Sequence, residues 1–547
     1  TSLSDLVKAY DVRGVVPDKW GPPTAAALGA AFAEVVVLPG ATADAGRPAV
    51  AIGRDMRESG PGLVEAFADG LTGRGVDVVP NGQCPTHGLF HAPGVLGVPG
   101  AMFTASHNPA QYNGIKLCRA GARPVSEETG LAEVRSLAES YLDEGLPEPV
   151  ADRGQVAERD MLTGYATFLR GLVDLSGIRP LRVVVDAGNG MAGLTAPAVL
   201  GEAAGLPALP LEVVPLYFEL DGSFPNHEAN PLEPENLRDL QAAVVAHGAD
   251  LGLAFDGDAD RCFVIDERGL PVSPSAVTAL VGLREVAREL EAGRTPTVIH
   301  NLITSRAVPD LLSGAGARTV RTRVGHSFIK AQMAEHEAVF GGEHSAHYYF
   351  RDFFFADTGM LAAMHVLAAL GTARTPAGDA VPLSALAEAY EPYVSSGEIN
   401  SRVQDVPAAR ARVVEAYVTS AGAGPVEVDE LDGLTVAHWA QAPRWWFNLR
   451  ASNTEPLLRL NVEAQDEDVM VTVRDDVLAL VRRSPATEGR RVPGLPAGAR
   501  GLLRRPACHG ELVDGVHGAS LRCSECAAVY PVRDGVPVLL VDAAAED

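Results

Sequence analysis

The stretch FDGDADR, residues 255–261, places three carboxylates at alternate positions, Asp256, Asp258 and Asp260. The apolar run LGLAF that leads into it is typical of a buried strand. Alternate carboxylates on a turning loop can converge on one hard cation, such as Ca²⁺ or Mg²⁺. The stretch therefore predicts either a metal site or a solvated acidic turn at the end of a strand.

A calcium-binding hand begins with the same D-x-D-x-D pattern, and Glu267 falls at its twelfth position. However, the sixth position of such a hand needs glycine for a sharp turn, and Arg261 stands there. Residues 262–266, CFVID, are typical of a strand, and Gly269 and Pro271 exclude the helix that should follow. The calcium hand is excluded, whereas a smaller Mg²⁺-type site and an acidic turn both remain open.

The flanking sequence indicates α/β architecture. In ENLRDLQAAVVAHG, before the strand, Leu237, Leu240 and Val244 have helical spacing and Gly248 is a helix stop. The segment LRVVVDAGNGMAG, residues 181–193, predicts a second strand, turn and helix. Because short apolar runs alternate with helix-like segments over most of the chain, we expect an α/β fold class.

Four strand-like runs end in unusually polar loops, spaced roughly evenly along the chain. The loops are residues 104–109 (TASHNP), 256–261 (DGDADR), 341–347 (GGEHSAH) and 450–456 (RASNTEP). Ligands of open α/β sheets bind beyond the carboxyl ends of the strands. We therefore expect four domains that face one cleft. No internal repeat is evident at the level of residues.

Composition shifts and Pro/Gly-rich segments predict the domain boundaries. We expect domains at residues 1–150, 151–266, 267–380 and 381–482, a linker at 483–500 and a small cysteine-bearing domain at 501–547. The length of 547 residues fits this number of domains, since a domain spans roughly 100–200 residues.

Two of the polar loops have groups suited to phosphate. Ser106 can carry a phosphoryl group, or it can simply cap a turn or helix. Arg450, Ser452, Asn453 and Thr454 combine one fork-shaped cation with two hydroxyls and an amide, which suits a phosphate monoester. A capped turn is the structural alternative for these four residues.

The third loop places Glu343, Ser345 and His347 at alternate positions. If this segment is extended, all three side chains point to one side, where they suit sugar hydroxyls and a proton transfer. A polar surface loop is the alternative. Lys116 adds a cation in the first domain, in a chain with only four lysines.

Composition limits the classes of partner. The formal net charge of −25 argues against nucleic-acid and anionic-membrane binding, although a local basic pocket remains compatible with it. Six cysteines in this length do not make a disulfide framework. The first residues lack the profile of a signal peptide, and no uninterrupted apolar run is long enough for a membrane span. We therefore expect a cytoplasmic protein.

Together, TASHNP, DGDADR, GEHSAH and RASNTEP resemble the signature loops of the α-D-phosphohexomutase superfamily, from about residue 4 to residue 483. The likeness is greatest to bacterial phosphomannomutase/phosphoglucomutase. It implies three similar mixed-sheet α/β domains and a fourth, two-layer α+β domain around a central cleft. It also implies an enzyme that moves phosphate between O1 and O6 of a hexose through a hexose 1,6-bisphosphate, which also serves as activator.

The resemblance also implies residue roles. Ser106 is the expected phosphoserine, and Asp256, Asp258 and Asp260 with its phosphate are the expected Mg²⁺ ligands. Lys116 and His347 are expected in acid–base work, and Lys116 needs a lowered pKa for this near neutrality. The other expected site residues are Tyr10, Arg13, Arg261 and His326 lining the site, Glu343 and Ser345 on the sugar hydroxyls, and Arg450, Ser452, Asn453 and Thr454 on the distant phosphate.

The resemblance of the loop GEHSAH, residues 342–347, also bears on substrate preference. GEHSAH looks like the dual mannose/glucose pattern, so we expect mannose to be preferred and glucose to be a second substrate. A glucose-specific enzyme is the alternative. The family often has glycine where Ala259 and Ala346 stand, and we expect little effect because alanine is also small.

The C-terminal segment resembles the small Trm112-like zinc-ribbon domain, a partner of methyltransferases. Cys523 and Cys526 form one C-x-x-C zinc knuckle. The second knuckle is incomplete, because Cys508 stands alone and Arg505 occupies the place of its mate. His509 or His517 is the alternative fourth ligand. We expect at most weak zinc binding, and an appendage that supports self-association or a protein partner. A scaffold protein acting through this segment is the rival function.

Overall fold

The computed structural model describes residues 1–41, 46–420, 425–451 and 457–483, and four short strands between residues 512 and 537. It divides into two compact units. Unit 1 comprises Thr1–Gly397, Glu427–Asn448 and Asn461–Val471, and unit 2 comprises Glu398–Val426, Leu449–Leu460 and Thr472–Asp547.

The first α/β region builds one six-stranded sheet in the order β1-β5-β4-β2-β3, with β6 beside β5. Its strands are β1 (Val12–Val15), β2 (Ala49–Arg54), β3 (Asp77–Gln83), β4 (Gly100–Phe103), β5 (Tyr112–Arg119) and β6 (Arg123–Pro124). Its helices are α1 (Pro22–Phe32), α2 (Gly60–Gly73), α3 (Thr86–Leu96) and α4 (Leu131–Glu144). The β2 strand pairs in parallel with β3 and β4, and β5 is antiparallel to β4 and β1.

The second region builds a five-stranded sheet in the order β11-β10-β9-β7-β8. Its elements are α5 (Leu162–Leu172), β7 (Leu181–Asp186), α6 (Ala192–Val199), β8 (Leu211–Leu216), α7 (Arg238–His247), β9 (Leu251–Phe255), β10 (Cys262–Asp266) and β11 (Pro271–Val272). The predicted strand LGLAF is β9, and all five residues are buried. The predicted helix stop is also confirmed, because Gly248 caps α7 with a φ of 55°.

The third region builds a five-stranded sheet in the order β13-β12-β14-β15-β16. Its elements are α8 (Pro274–Glu291), β12 (Thr297–Asn301), α9 (Ala307–Gly314), β13 (Arg318–Thr322), α10 (His326–Glu335), β14 (Phe340–Gly342), β15 (Tyr348–Phe350), β16 (Ala356–Asp357), α11 (Gly359–Thr372) and α12 (Leu383–Glu388).

The three sheets share one pairing pattern, which the residues themselves did not reveal. In each, a central strand lies parallel to two neighbours, and the second neighbour leads through a loop into two antiparallel strands. Backbone pairing does not require identical side chains, so the same topology can recur without a visible sequence repeat. The expectation of three similar mixed-sheet α/β domains is confirmed.

The remaining elements follow in chain order. They are β17 (Val394–Arg402), α13 (Val406–Val414), β18 (Glu427–Asp429), β19 (Leu434–His438), β20 (Trp445–Ala451), β21 (Leu457–Ala464) and α14 (Glu467–Val481), then β22 (Leu512–Asp514), β23 (Ser520–Cys523), β24 (Val529–Arg533) and β25 (Val536–Pro537). The last four form an antiparallel sheet in chain order. Among the described helices, none combines the length and apolar character needed to cross a membrane.

Candidate active site

Three of the polar loops occupy equivalent places in the three sheets. Each loop joins the last parallel strand to its antiparallel neighbour: β4 to β5, β9 to β10, and β14 to β15. Each also contains one non-glycine residue in the left-handed region, Ser106 (φ 51°), Ala259 (φ 58°) and Ala346 (φ 65°). The glycine that we noted as usual at residues 259 and 346 would adopt this conformation without the steric cost of a Cβ.

The buried side chain of Arg57 binds the backbone of the Ser106 loop. Its guanidinium donates to the backbone carbonyl oxygens of residues 106, 108, 109 and 112 at 2.7–2.9 Å. It is 1% exposed, and Asp55 balances its charge at 3.1 Å. Five donors in a rigid fork suit this task. The sequence alone does not indicate this role, because nothing local to Arg57 identifies the loop that it binds.

The three aspartates lie together next to Ser106. Ser106 Oγ lies 3.2 Å from Asp256 Oδ2, although the two residues are 150 positions apart. Arg261 donates its Nε to Asp256 Oδ2 at 2.9 Å and its backbone N–H to Oδ1 at 3.1 Å. One oxygen from each of Asp256, Asp258 and Asp260 lies within 4.8 Å of the others, so the triad could hold a metal ion.

Lys116 bridges two of these carboxylates. Its Nζ lies 3.1 Å from Asp258 Oδ2 and 3.0 Å from Asp260 Oδ2. Burial works to lower the pKa of Lys116, but the two aspartates outweigh it and the pKa is raised. Burial likewise opposes ionisation of Asp258, yet Lys116 helps to lower its pKa. With these carboxylates as its partners Lys116 has a raised pKa, whereas a base at this position needs a lowered one.

Two buried oxygens indicate that the triad fits a cation. Asp258 Oδ1 and Asp260 Oδ1 have no hydrogen-bond partner in the described part of the chain, and both residues are at most 2% exposed. A buried carboxylate oxygen without a partner is costly. A cation that uses these two oxygens would relieve the cost, and a donor set of carboxylate oxygens suits a hard ion.

The loop from Gly342 to Tyr348 is a turn, so the extended geometry that would align Glu343, Ser345 and His347 is not present. Ala346 adopts a positive φ, and the chain reverses between β14 and β15. Ser345 Oγ instead lies 3.0 Å from His347 Nδ1, and His347 Nε2 lies 3.7 Å from Asp260 Oδ1. The turn therefore places His347 at the triad rather than in a row with Glu343.

Glu343 is 3% exposed, and both of its carboxylate oxygens are hydrogen-bonded. Tyr349 donates its hydroxyl to Oε1 at 2.5 Å, and Asn301 donates its side-chain amide to Oε2 at 3.2 Å. Asn301 ends β12 and Tyr349 belongs to β15, so two strands of the same sheet fix the carboxylate. The sequence alone does not identify either partner.

Ser106, Lys116 and His347 all line one cavity of about 400 Å³ in unit 1. Of the predicted lining residues, Tyr10 and Arg13 also reach it. Arg13 donates to Asn108 Oδ1 at 2.7 Å and pairs with Asp11 at 2.6 Å.

The cavity wall also contains an ion pair that sequence analysis missed. Lys330 Nζ lies 2.7 Å from Asp357 Oδ1, and both side chains are nearly buried. Lys330 also lies over the ring of Phe90, at 4.1 Å from its centroid. The scarcity of lysine was the signal that could have drawn attention to Lys330, as it did to Lys116.

Several predicted residues cannot be placed around this cavity. Ser452, Asn453, Thr454, Cys508 and Cys526 lie outside the described residues, as do the side chains of His326 and Cys523. Arg450 belongs to unit 2, where its NH2 lies 3.4 Å from Glu398.

Family models cover most of the chain. The models for the alpha/beta/alpha domains I, II and III of phosphoglucomutase/phosphomannomutase match residues 4–143, 163–269 and 274–393. The model for the C-terminal domain of the same family matches residues 398–480.

Individual relatives agree with this match. A phosphomannomutase of Salmonella typhimurium is 37% identical over 473 residues, which cover 86% of this chain and 97% of the relative. A phosphohexose mutase of Xanthomonas campestris is 38% identical, covering 87% and 98%. The crystal structure of a phosphoglucomutase/phosphomannomutase family protein from Burkholderia thailandensis superposes with a TM-score of 0.73 at 30% identity, covering 88% and 98%.

The repeated sheets, the serine beside the acidic triad and these relatives define a hexose phosphate mutase, an enzyme of the isomerase class. The chain belongs to the phosphoglucomutase/phosphomannomutase family. The resemblance expected from the four loops is confirmed for the mutase region. The family match ends at residue 480 and does not extend to the C-terminal strands.

Proposed function

We propose that Ser106 carries the phosphoryl group that moves between O1 and O6 of the hexose. The observation that supports this most directly is the position of Ser106 Oγ, at 3.2 Å from Asp256 in the cavity that Lys116 and His347 also line. In the first half-reaction the bond between phosphorus and Ser106 Oγ breaks, and a bond to the free sugar hydroxyl forms. The hydroxyl proton passes to a base. The bisphosphate then turns over and returns its other phosphate to Ser106.

We assign the cation to Asp256, Asp258 and Asp260, with the phosphate on Ser106 as the further ligand, and we propose that it is Mg²⁺. Asp258 Oδ1 and Asp260 Oδ1, which accept no hydrogen bond in the described part of the chain, support this assignment. When bound, the ion would offset the charge that develops between the donor and acceptor oxygens. Arg261 would then hold Asp256 in place, since it donates to both oxygens of that carboxylate.

The base that we favour is His347, with Lys116 as a positive charge beside the reacting groups. His347 lines the cavity and hydrogen-bonds with Ser345. An imidazole can exchange a proton near neutrality, whereas a lysine can act as a base there only with a lowered pKa. Tyr10 and Arg13 would complete the wall of the cavity.

The remaining assignments rest on the sequence motifs. We propose that Glu343 and Ser345 bind the 3- and 4-hydroxyls of the sugar, and that His326 lines the site. Arg450, Ser452, Asn453 and Thr454 would bind the phosphate that is not reacting. We also retain the predicted domain limits, residues 1–150, 151–266, 267–380 and 381–482.

We propose mannose phosphate as the preferred substrate and glucose phosphate as the second. The relative from Salmonella typhimurium is named phosphomannomutase, which supports mannose phosphate as a substrate, and the one from Xanthomonas campestris is named phosphohexose mutase, which is compatible with a second hexose. Mannose and glucose differ at the 2-hydroxyl, which Glu343 and Ser345 would not contact. Coupled assays of mannose 1-phosphate and glucose 1-phosphate, with Mg²⁺ and a trace of bisphosphate, test it through kcat/KM. A glucose-specific enzyme would show turnover with glucose 1-phosphate alone.

The phosphoryl carrier has its own test. After incubation with glucose 1,6-bisphosphate, intact-mass measurement should detect one added phosphoryl group on the wild type and none on Ser106→Ala. The variant should lose nearly all mutase activity. Full activity in Ser106→Ala would show that the carrier is misassigned.

For the C-terminal segment we propose a small Trm112-like β-domain that mediates self-association or binds a protein partner. The four antiparallel strands that lie beyond the family match support a folded segment there. Deletion of residues 501–547 should leave mutase activity intact and change the oligomeric state or remove a partner. Loss of activity on deletion would favour a role in the mutase itself.

A further inference from the structure

Asp258 is anchored by a residue that belongs to none of the four polar loops. Thr86, the first residue of α3, donates its hydroxyl to Asp258 Oδ2 and its backbone N–H to the carbonyl oxygen of Asp258 at 3.0 Å. The two residues are 172 positions apart, and Thr86 is 1% exposed. The first N–H groups of a helix have no partner within the helix, so the start of α3 is free to bind the aspartate loop.

These contacts distinguish the two oxygens of Asp258. Oδ2 is contacted by Thr86, by Lys116 at 3.1 Å and by Thr104 at 3.4 Å. Oδ1 is contacted by no described donor. The carboxylate is therefore held by one oxygen, and the other is left for a ligand. Thr86 selects this orientation, because its hydroxyl can accept from Lys116 at 3.5 Å and direct its own proton to Asp258.

Thr86 and Lys116 differ in what they would do when a cation is present. The ammonium group of Lys116 is repelled by a divalent ion that shares its carboxylates. The Thr86 hydroxyl is neutral, so it can keep its hydrogen bond while Oδ1 binds the ion. Residues that orient metal ligands through hydrogen bonds commonly change metal affinity 10–100-fold when they are mutated.

We propose that Thr86 is a positioning residue that fixes the orientation of Asp258, so that Oδ1 faces the divalent cation. This inference rests on the proposed assignment of the cation to the aspartate triad. Thr86 acts through Asp258, to which it is hydrogen-bonded, and it also lines the cavity that Ser106, Lys116 and His347 share.

The experiment measures Mn²⁺ affinity directly, as free Mn²⁺ by electron paramagnetic resonance, on metal-stripped and unphosphorylated protein. Mn²⁺ accepts the same oxygen ligands as Mg²⁺. Thr86→Val should raise the Kd for Mn²⁺ about 10–100-fold. Thr86→Ser retains the hydroxyl and should remain within about threefold of the wild type. In activity assays the half-saturating Mg²⁺ concentration should rise in parallel, with KM for the sugar phosphate unchanged at saturating Mg²⁺.

Thr278→Val is the matched control. Thr278 is also fully buried and donates its hydroxyl to a carbonyl oxygen, that of Pro274, within α8. Its loss should leave Mn²⁺ affinity unchanged. If Thr86→Val does not fold, as judged by melting temperature, Thr86→Ala is measured against the same criterion.

Asp258→Asn separates the two proposals. If Asp258→Asn loses Mn²⁺ affinity and Thr86→Val binds like the wild type, the role of Thr86 is refuted and the triad stands. If Asp258→Asn itself binds like the wild type, the cation is assigned to the wrong residues and both proposals fail.

Discussion

Tyr349→Phe tests how strongly the hydrogen bond to Glu343 matters. Burial, followed by the charge of Glu343, raises the pKa of Tyr349 well above its usual value, so its hydroxyl remains a donor. The substitution removes one oxygen and leaves Glu343 Oε1 without this donor in a site that is 3% exposed. Asn301 would then hold the carboxylate by Oε2 alone.

The expected magnitude follows from the loss of a hydrogen bond to a buried charged group. Such bonds contribute about 1.5–3 kcal/mol, and about 1.4 kcal/mol corresponds to a factor of ten in an equilibrium or rate. We therefore expect the free energy of unfolding to fall by about 2 kcal/mol. Because Glu343 is the proposed sugar ligand, we expect kcat/KM to fall about 10–100-fold.

The neighbouring tyrosine provides a matched control. Tyr348 is equally buried, but its hydroxyl has no hydrogen-bond partner in the described part of the chain. Tyr348→Phe should therefore leave the free energy of unfolding unchanged or slightly higher. Its kcat/KM should stay within about twofold of the wild type. Both variants are compared by thermal melting and by the coupled mutase assay. Equal effects of the two substitutions would refute the reasoning.

Three further predictions concern other parts of the chain. Arg57→Lys should lower the free energy of unfolding by about 3 kcal/mol, because an ammonium group cannot donate to four carbonyl oxygens at once. Arg54→Lys is the control: it loses only one longer hydrogen bond, to the carbonyl oxygen of Asp55 at 3.2 Å, and should melt like the wild type. Burial lowers the pKa of His87 to about 4, so only the unfolded chain gains a proton between pH 6.5 and 4. His87 alone should then remove about 2 kcal/mol of stability between pH 7 and 5, and His87→Asn should show a smaller drop in melting temperature over this range than the wild type. Purified protein should contain less than one zinc per chain, and stoichiometric zinc by metal analysis would contradict the incomplete set Cys508, Cys523 and Cys526.

Local sequence predicted a large part of the fold around the acidic loop. The apolar run before Asp256, the strand after Arg261 and the helix stop at Gly248 are all present. Each depends on neighbouring residues: a buried run, a β-rich run and a glycine at a left-handed position. The extended geometry considered for the loop around Glu343 is absent, because Ala346 adopts a positive φ that alternation of side chains does not reveal.

The sequence by itself determined which chemical groups the chain brings to its site: a serine, three alternate aspartates and a glutamate with a histidine, each in a short polar loop. Tertiary structure alone decided how those groups are held. Three buried hydrogen bonds join loops to elements that only sheet pairing and packing bring together. They are those from Arg57 to the Ser106 loop, from Tyr349 to Glu343 and from Thr86 to Asp258. Hydrogen bonds of this kind depend on distance in space, and a local pattern contains no information about a partner 172 residues away.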